Sequence, residues 1–199
     1  MRLALIRHGQ TAWNLEGRAQ GHTDIPLDET GMDQASSLAE HWPLGAFATI
    51  WSSDLRRASD TAKALSAKLK ATHDEFEWLR EQNLGDCEGL LYADVRAMMA
   101  EHKMPPNGES PEAQWQRIRA GIQKIEAHSD DLVIVSHGGT CSMLLAQLLK
   151  GNPETARSLT FGNTAICELF RRSDGVWRLL RYNDTGHLNL PSAPMVDAR

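Results

Sequence analysis

Leu3-Ala4-Leu5-Ile6-Arg7-His8-Gly9 and Leu132-Val133-Ile134-Val135-Ser136-His137-Gly138 share one pattern, an unbroken apolar run that closes on a histidine-glycine pair. Short continuous apolar runs bounded by glycine predict interior strands of a parallel sheet, buried on both faces. Open α/β sheets place their ligands outside the carboxyl ends of the strands, where both histidines fall. The two runs therefore predict an α/β architecture and, at one edge of it, a candidate active site.

Working outward, Pro26 and Asp28 mark the entry to a helix predicted over 31–41, and 46–51 reads as a second strand. Asp54 is placed to cap a helix over 55–69, in which Leu55, Ala58, Ala62 and Leu65 recur at the spacing of one buried face. Residues 76–79 read as a brief strand and 93–101 as a helix. The stretch 103–110, with Pro105, Pro106 and Gly108, reads as an exposed loop that could serve as a lid. Pro111 suits the first turn of a long helix over 111–128, and a further helix is predicted over 140–149. Residues 165–171 and 177–182 flank the turn-rich Ser173-Asp174-Gly175 and predict an antiparallel hairpin, so the sheet is mixed but mostly parallel. Strands alternating with helices over the first three quarters imply a three-layer α/β/α sandwich with right-handed crossovers. The expected organisation is a single domain over 1–199, with 183–199 as a C-terminal tail; no repeat, linker or low-complexity tract divides it.

The composition excludes several classes. At 199 residues the chain can bury a sizeable single core. A net charge of -5 leaves no basic excess to neutralise a nucleic-acid backbone, although a local cationic pocket for a small anion is compatible with it. Three cysteines, Cys87, Cys141 and Cys167, are an odd count without CxxC spacing, which argues against a disulfide framework or a structural zinc site and for a reduced, cytoplasmic setting. Met1-Arg2 leads directly into the first strand, and no long apolar stretch follows, so neither a signal peptide nor a membrane span is expected.

A histidine after a strand is ordinarily a hydrogen-bonded loop residue, and either pair alone proves little. Arg7 adds a permanently charged fork of donors suited to phosphate or carboxylate. A second arginine candidate lies in Ser53-Asp54-Leu55-Arg56-Arg57-Ala58, again where a strand gives way to a helix; the plain alternative is a pair of solvated arginines. Helix N-termini near these strand ends supply backbone donors and a dipole that favours an anion. Glu81 is the carboxyl group best placed for proton transfer, although most glutamates are surface carboxylates, and Glu88 is among the other nearby carboxylates. Two histidines, two arginines and a carboxyl group suit phosphoryl transfer better than metal hydrolysis, and no HExxH motif supports a metal.

Taken with Gly17-Arg18-Ala19-Gln20-Gly21, Asp24-Ile25-Pro26-Leu27, Leu79-Arg80-Glu81 and Gly108-Glu109-Ser110, the chain resembles the histidine phosphatase superfamily, whose fold it shares with the cofactor-dependent phosphoglycerate mutases. The resemblance covers nearly the whole length. It implies that His8 is the nucleophile, that Arg7, Arg57 and a protonated His137 bind the transferred phosphoryl group, and that Glu81 is the proton donor. Asn14 and the Gly138 backbone are further phosphate contacts. Arg57 is chosen over Arg56 because it directly precedes Ala58, as the family arginine does. No metal or other cofactor is required. Two departures stand out: Cys87 occupies a position where many relatives carry tryptophan, so an aromatic pocket wall is absent or supplied elsewhere, and Asn107 replaces a commoner glycine.

The implied activity is hydrolysis of a small-molecule phosphate monoester, with no nucleic-acid or membrane partner. Mutase-type phosphoryl transfer is the alternative, disfavoured because the segment between Glu81 and His137 lacks a long enclosing insertion. A binding module without chemistry is a further alternative, although every catalytic position is filled. Arg18-Ala19-Gln20-Gly21 and the terminal Asn183-Asp184-Thr185-Gly186-His187-Leu188 also resemble the phosphatase branch, including broad-specificity and α-ribazole phosphatases. Asn83–Tyr92, the 103–110 loop and Arg18 or His22 are the expected builders of the leaving-group pocket. The edge of the tail hairpin could pair with a second copy to make a homo-oligomer.

Overall fold

A computed structural model describes residues 1–100 and 105–188. In chain order the elements are β1 (Arg2–Arg7), α1 (Ala12–Leu15), α2 (Glu29–Glu40), β2 (Thr49–Ser52), α3 (Arg56–Leu69), β3 (Thr72–Glu75), α4 (Tyr92–Ala100), α5 (Pro111–Ala127), β4 (Leu132–Ser136), α6 (Gly138–Leu148), α7 (Pro153–Arg157), β5 (Ile166–Arg171) and β6 (Trp177–Asp184). Single 3-10 turns occupy Glu77–Leu79, Gly85–Cys87 and Gly186–Leu188. The strands form one six-stranded sheet in the order β3-β2-β4-β1-β5-β6. The first four are parallel, β5 pairs antiparallel with β1 and β6 antiparallel with β5, which makes the sheet mixed as expected.

The two apolar runs are central because both of their faces are covered. Leu3, Leu5, Leu132 and Ile134 pack with Ile118, Ile122 and Ile125 of α5 and Leu144, Leu145 and Leu148 of α6. The alternate residues Ala4, Ile6, Val133 and Val135 pack with Leu38 of α2 and Ala58, Ala62 and Leu65 of α3. This is the period-two alternation of a strand read from both sides, and it defines the three layers. Burying each large aliphatic side chain here contributes about 1.5–3 kcal/mol. The parallel register sets Arg7 opposite Ser136, and the His8 N–H donates to the Ser136 carbonyl at 2.8 Å. Hence His8 and His137 leave the sheet at the same level.

Several local expectations are corrected. β2 starts at Thr49 rather than at residue 46, because β3 and β4 both begin their pairing there, and the Ala46 carbonyl is instead taken by the Arg2 guanidinium at 3.0 Å. The strand expected at 76–79 is the polar Thr72–Glu75, a largely exposed edge strand whose sequence carries no apolar alternation. Phe76 and Leu79 turn inward through a 3-10 turn; Leu79 is fully buried and Phe76 meets Trp51 edge-on at 5.2 Å. Asp54 does not cap α3: its carboxylate pairs with Arg80, and Asp24, far away in sequence, accepts the Arg56 N–H at 2.7 Å. Helix α6 begins at Gly138, two residues before its expected start, and α7, capped by Asn152 with Pro153 next, occupies a stretch for which the sequence pattern set no expectation. Residues at the start of the expected 183–199 tail belong to the fold, since β6 runs through Asp184 and His187 is buried; residues 189–199 and 101–104 lie outside the described residues. Among the described residues nothing pairs with the outer side of β6, where Leu180 and Tyr182 are exposed.

Candidate active site

The register of β1 and β4 brings His8 and His137 together with ring centroids 5.1 Å apart. Both are almost fully buried, at 3% and 1% exposure. His8 Nδ1 lies 2.6 Å from the Gly9 carbonyl, which can only accept, so the ring proton sits on Nδ1 and the free lone pair on Nε2. The Gly9 N–H donates to Thr61 Oγ1 on α3, whose hydroxyl donates to the Arg57 carbonyl, so the histidine and the arginine hang on one hydrogen-bonded frame.

Arg57 is 1% exposed while Arg56 points to solvent, as the neighbouring alanine implied. Arg57 Nε–H donates to His137 Nδ1 at 3.2 Å, and its terminal nitrogens donate to the Thr23 and Gly21 carbonyls at 2.9 and 2.8 Å. This corrects the expectation of a protonated His137. Nδ1 must keep its lone pair to accept from a guanidinium, and burial, then the charge of Arg57, holds the imidazole well below its ordinary range. His137 therefore stands as a neutral Nε2–H tautomer. His8 is likewise held neutral by burial and by Arg57 and Arg7. Burial pulls Arg57 down to about 10, which still leaves it charged at neutral pH.

Arg7 NH1 donates to the Phe161 carbonyl at 2.7 Å. Its Nε and His137 Nε2 are buried donors without a partner among the described residues, a costly arrangement unless an acceptor is meant to meet them. A Cβ on Gly138 would lie 3.6 Å from Arg7 Nε, so the first residue of α6, with its unpaired helical N–H position, borders the same spot. Asn14 Oδ1 accepts from the Thr11 N–H and the Asn163 amide, which turns its own amide donor outward from those contacts. Convergent donors, positive charge and neutral imidazoles are the features of an oxyanion cradle.

Glu81 reaches the site from the 3-10 turn rather than from a strand. Ser136 Oγ donates to the Leu79 carbonyl and Thr140 Oγ1 to the Arg80 carbonyl, fastening this segment to the end of β4 and the start of α6. The Glu81 carboxylate accepts the Gly139 N–H at 2.8 Å and the Thr140 and Gln82 N–H groups at 3.1 and 3.0 Å, with Gln114 at 3.2 Å. Arg117 clamps the same segment: it donates to the Trp78, Arg80 and Glu81 carbonyls and grips Glu109 with two nitrogens. Sequence reasoning assigned no role to Gln114, Thr140 or Arg117. The available signal was Gln114 and Arg117 at a spacing of three, polar residues beside the buried Ile118.

Glu88 is engaged by backbone groups. Its two oxygens accept from the His22, Thr23 and Leu84 N–H groups and the Thr23 hydroxyl, which ties down the turn whose carbonyls hold Arg57. His22 meets the Glu81 carbonyl at 2.9 Å, and Arg18 pairs with Glu16 and the Gly89 carbonyl. Cys87 packs into a small core with Ala19, Leu84 and Val95. The neighbouring aromatics are Trp13, 3.3 Å from where a Gly89 Cβ would stand, and Tyr92, exposed at the start of α4. Residues 105–110 are fastened to 83–86 by the Asp86 and Glu109 N–H groups, and Asn107 takes the left-handed conformation at φ 59° that glycine or asparagine favours. Among the described residues no cluster of three or more His, Cys, Asp or Glu side chains could hold a metal ion.

Residues 3–185 match the family model described as the histidine phosphatase superfamily (branch 1). The chain is 32% identical to the uncharacterized phosphatase PhoE of Bacillus subtilis, over 94% of this chain and 96% of that one. It is 34% identical to the adenosylcobalamin/alpha-ribazole phosphatase of Salmonella typhimurium, over 75% and 80%. A solved structure of mycobacterial glucosyl-3-phosphoglycerate phosphatase complexed with VO3 superposes with a TM-score of 0.80 at 33% identity, covering 92% of this chain and 98% of that one.

Proposed function

The chain belongs to branch 1 of the histidine phosphatase superfamily, and from that membership we propose that His8, Arg7, Arg57, His137, Asn14, Gly138 and Glu81 hydrolyse small phosphate monoesters through a phosphohistidine. The observation that carries this reading is the His8 tautomer, with Nδ1–H held by the Gly9 carbonyl and the Nε2 lone pair left for attack on phosphorus. As the N–P bond forms and the ester P–O bond breaks, the charge on the phosphoryl oxygens meets Arg7, Arg57, the His137 Nε2–H, the Asn14 amide and the Gly138 N–H. Glu81 gives its proton to the leaving alkoxide. As a carboxylate it then takes a proton from the water that attacks phosphohistidine, which restores His8 and releases phosphate.

Names of the relatives support a metabolite monoester as substrate, since they include phosphatases for alpha-ribazole and glucosyl-3-phosphoglycerate. Hydrolysis is preferred to mutase transfer because, among the described residues, only the Gly85–Cys87 turn, α4, residues 105–110 and α5 intervene between the Glu81 segment and β4. Cysteine chemistry is a poor competitor: Cys87, Cys141 and Cys167 are free and buried, and burial pushes the Cys141 thiol well up and Cys167 to about 11. Free thiols also support a reducing, cytoplasmic setting, and no described helix is long and apolar enough to cross a membrane. We read the catalytic unit as one domain.

The direct test is to mix the enzyme with a labelled phosphate monoester in the presence of chelator, quench in the turnover phase and measure protein-bound phosphate. Acid-labile, alkali-stable label is the expected result. Hydrolysis without any such label would remove the covalent mechanism.

The arginine pair makes a second test. Arg57→Ala is expected to lower kcat/KM by about 10²–10⁴-fold, because a charged donor at the phosphoryl group is lost and the His137 Nδ1 contact goes with it. Arg56→Ala keeps the backbone N–H that Asp24 accepts, and should change kcat/KM by no more than about twofold. Steady-state kinetics of both variants decide; equal losses would show that the wrong arginine had been assigned.

A further inference from the structure

Thr164 is fully buried, β-branched and held at φ 54°, in the left-handed region that such residues rarely occupy. Strain of this kind persists only where the surroundings impose it, and it marks places where geometry is being held for a purpose. Here the loop of residues 161–164 touches three members of the proposed site. The Phe161 carbonyl accepts from Arg7 NH1 at 2.7 Å, and the Asn163 amide donates to the His8 carbonyl at 3.0 Å and to Asn14 Oδ1 at 3.3 Å. The Thr164 N–H donates to the Arg7 carbonyl at 3.0 Å.

What imposes the conformation comes from the end of the described chain. Thr164 Oγ1 donates to the Asn163 carbonyl at 2.8 Å, so in its 2.9 Å contact with His187 Nε2 it must accept, and His187 carries its proton there. The Asn183 side-chain carbonyl accepts the Gly162 N–H at 2.8 Å. His187 is itself buried and anchored, its carbonyl accepting from Ser37 Oγ on α2 at 2.6 Å. Burial keeps its imidazole below the ordinary range, and so neutral, as a single-donor tautomer requires.

We propose that His187, with Asn183, is a positioning residue for phosphoryl transfer: it clamps the 161–164 loop in its strained form, and the loop aims Arg7, His8 and Asn14. This deepens the reading of that site as a phosphohistidine phosphatase and rests on it. His187 touches neither the phosphoryl group nor the reacting atoms, and acts through Thr164 and Asn163. The Asn183–Leu188 stretch, which resembles the phosphatase branch, thereby acquires a physical task.

The test compares wild type, His187→Ala, His187→Gln and Asn183→Gly. Glutamine retains an N–H donor near the position of Nε2, and glycine keeps the left-handed backbone of Asn183, at φ 50°, while removing only its acceptor. Two readouts are taken well below each variant's melting temperature: the single-turnover rate of His8 phosphorylation, and inhibition by orthovanadate. His187→Ala is expected to lower the rate about 10–100-fold and to weaken vanadate inhibition by a similar factor. His187→Gln should recover most of both, and Asn183→Gly should fall between. Unchanged rate and inhibition in folded His187→Ala would reduce His187 to a core residue and overturn the proposal. Equal losses in the alanine and glutamine variants would overturn the hydrogen-bonded clamp. Should His187→Ala not fold, Asn183→Gly decides in its place: a wild-type rate and inhibition overturn the proposal, and a shared loss supports it. If wild type forms no phosphohistidine yet vanadate inhibition still depends on His187, the nucleophile assignment fails while the clamp stands.

Discussion

His8→Ala is expected to reduce turnover by about 10⁴-fold or more and to leave no acid-labile phosphate on the protein. The loss is large because nothing nearby can take over the attack. His137 lies only 5.1 Å away between ring centroids, but its Nδ1 is occupied by the Arg57 Nε–H and its Nε2 carries the proton. A residual rate would come from the charged cradle alone, acting on water. The side chain packs in a buried position, so circular dichroism and a thermal melt must accompany the kinetics to show that the folded state is retained. A folded variant with wild-type activity would end the covalent reading.

Glu81→Gln should slow phosphorylation of His8 by about 10²–10⁴-fold with an alkyl phosphate and by less than about tenfold with p-nitrophenyl phosphate. An alkoxide needs a proton to leave, whereas a nitrophenolate does not, so the dependence on leaving group isolates the acid role from any general disturbance. That separation matters here. The Glu81 oxygens accept from Gly139, Thr140 and Gln82 N–H groups, and an amide must turn an NH2 toward at least one of them. Such a disturbance would slow both substrates alike. The comparison must be made in a single turnover, since Glu81 also serves the second step as base and its loss there could limit steady-state rates. Equal losses with the two esters would exclude Glu81 as the acid, and Glu88 would not replace it, because both of its oxygens are engaged by the 22–23 turn and Leu84.

The residues that could be read without a structure are those whose role is written in local pattern. Two apolar runs specified the central strands because a strand buried on both faces needs nothing else, and a parallel register then carries the residues that follow to the same level. The family resemblance singled out Arg57 over Arg56 because Ala58 follows it, and Arg57 is the buried member of the pair, at 1% exposure. Asp28 caps the helix whose entry it marks, and Pro111 sits in the first turn of its helix as expected, since both signals act on backbone groups only a few residues away.

Other features depend on partners far along the chain and leave no periodic trace. β3 is polar because it lies at an exposed edge, so its register follows from β2 rather than from its own residues. Asp54 met Arg80 instead of its helix, and Asp24 took the vacated cap from 32 positions away. The charge state of His137 turned on burial and on one contact with Arg57 across 80 residues. The Arg117 clamp on Glu81 and the His187 clamp on Thr164 are likewise long-range hydrogen bonds, invisible to any window of neighbouring residues. By itself, then, the sequence determined which strands lie at the centre, which side chains stand at their ends and the class of chemistry they can perform. Tertiary structure alone decided the protonation and aim of those side chains, because both are set by desolvation and by directional bonds that exist only once distant segments have packed.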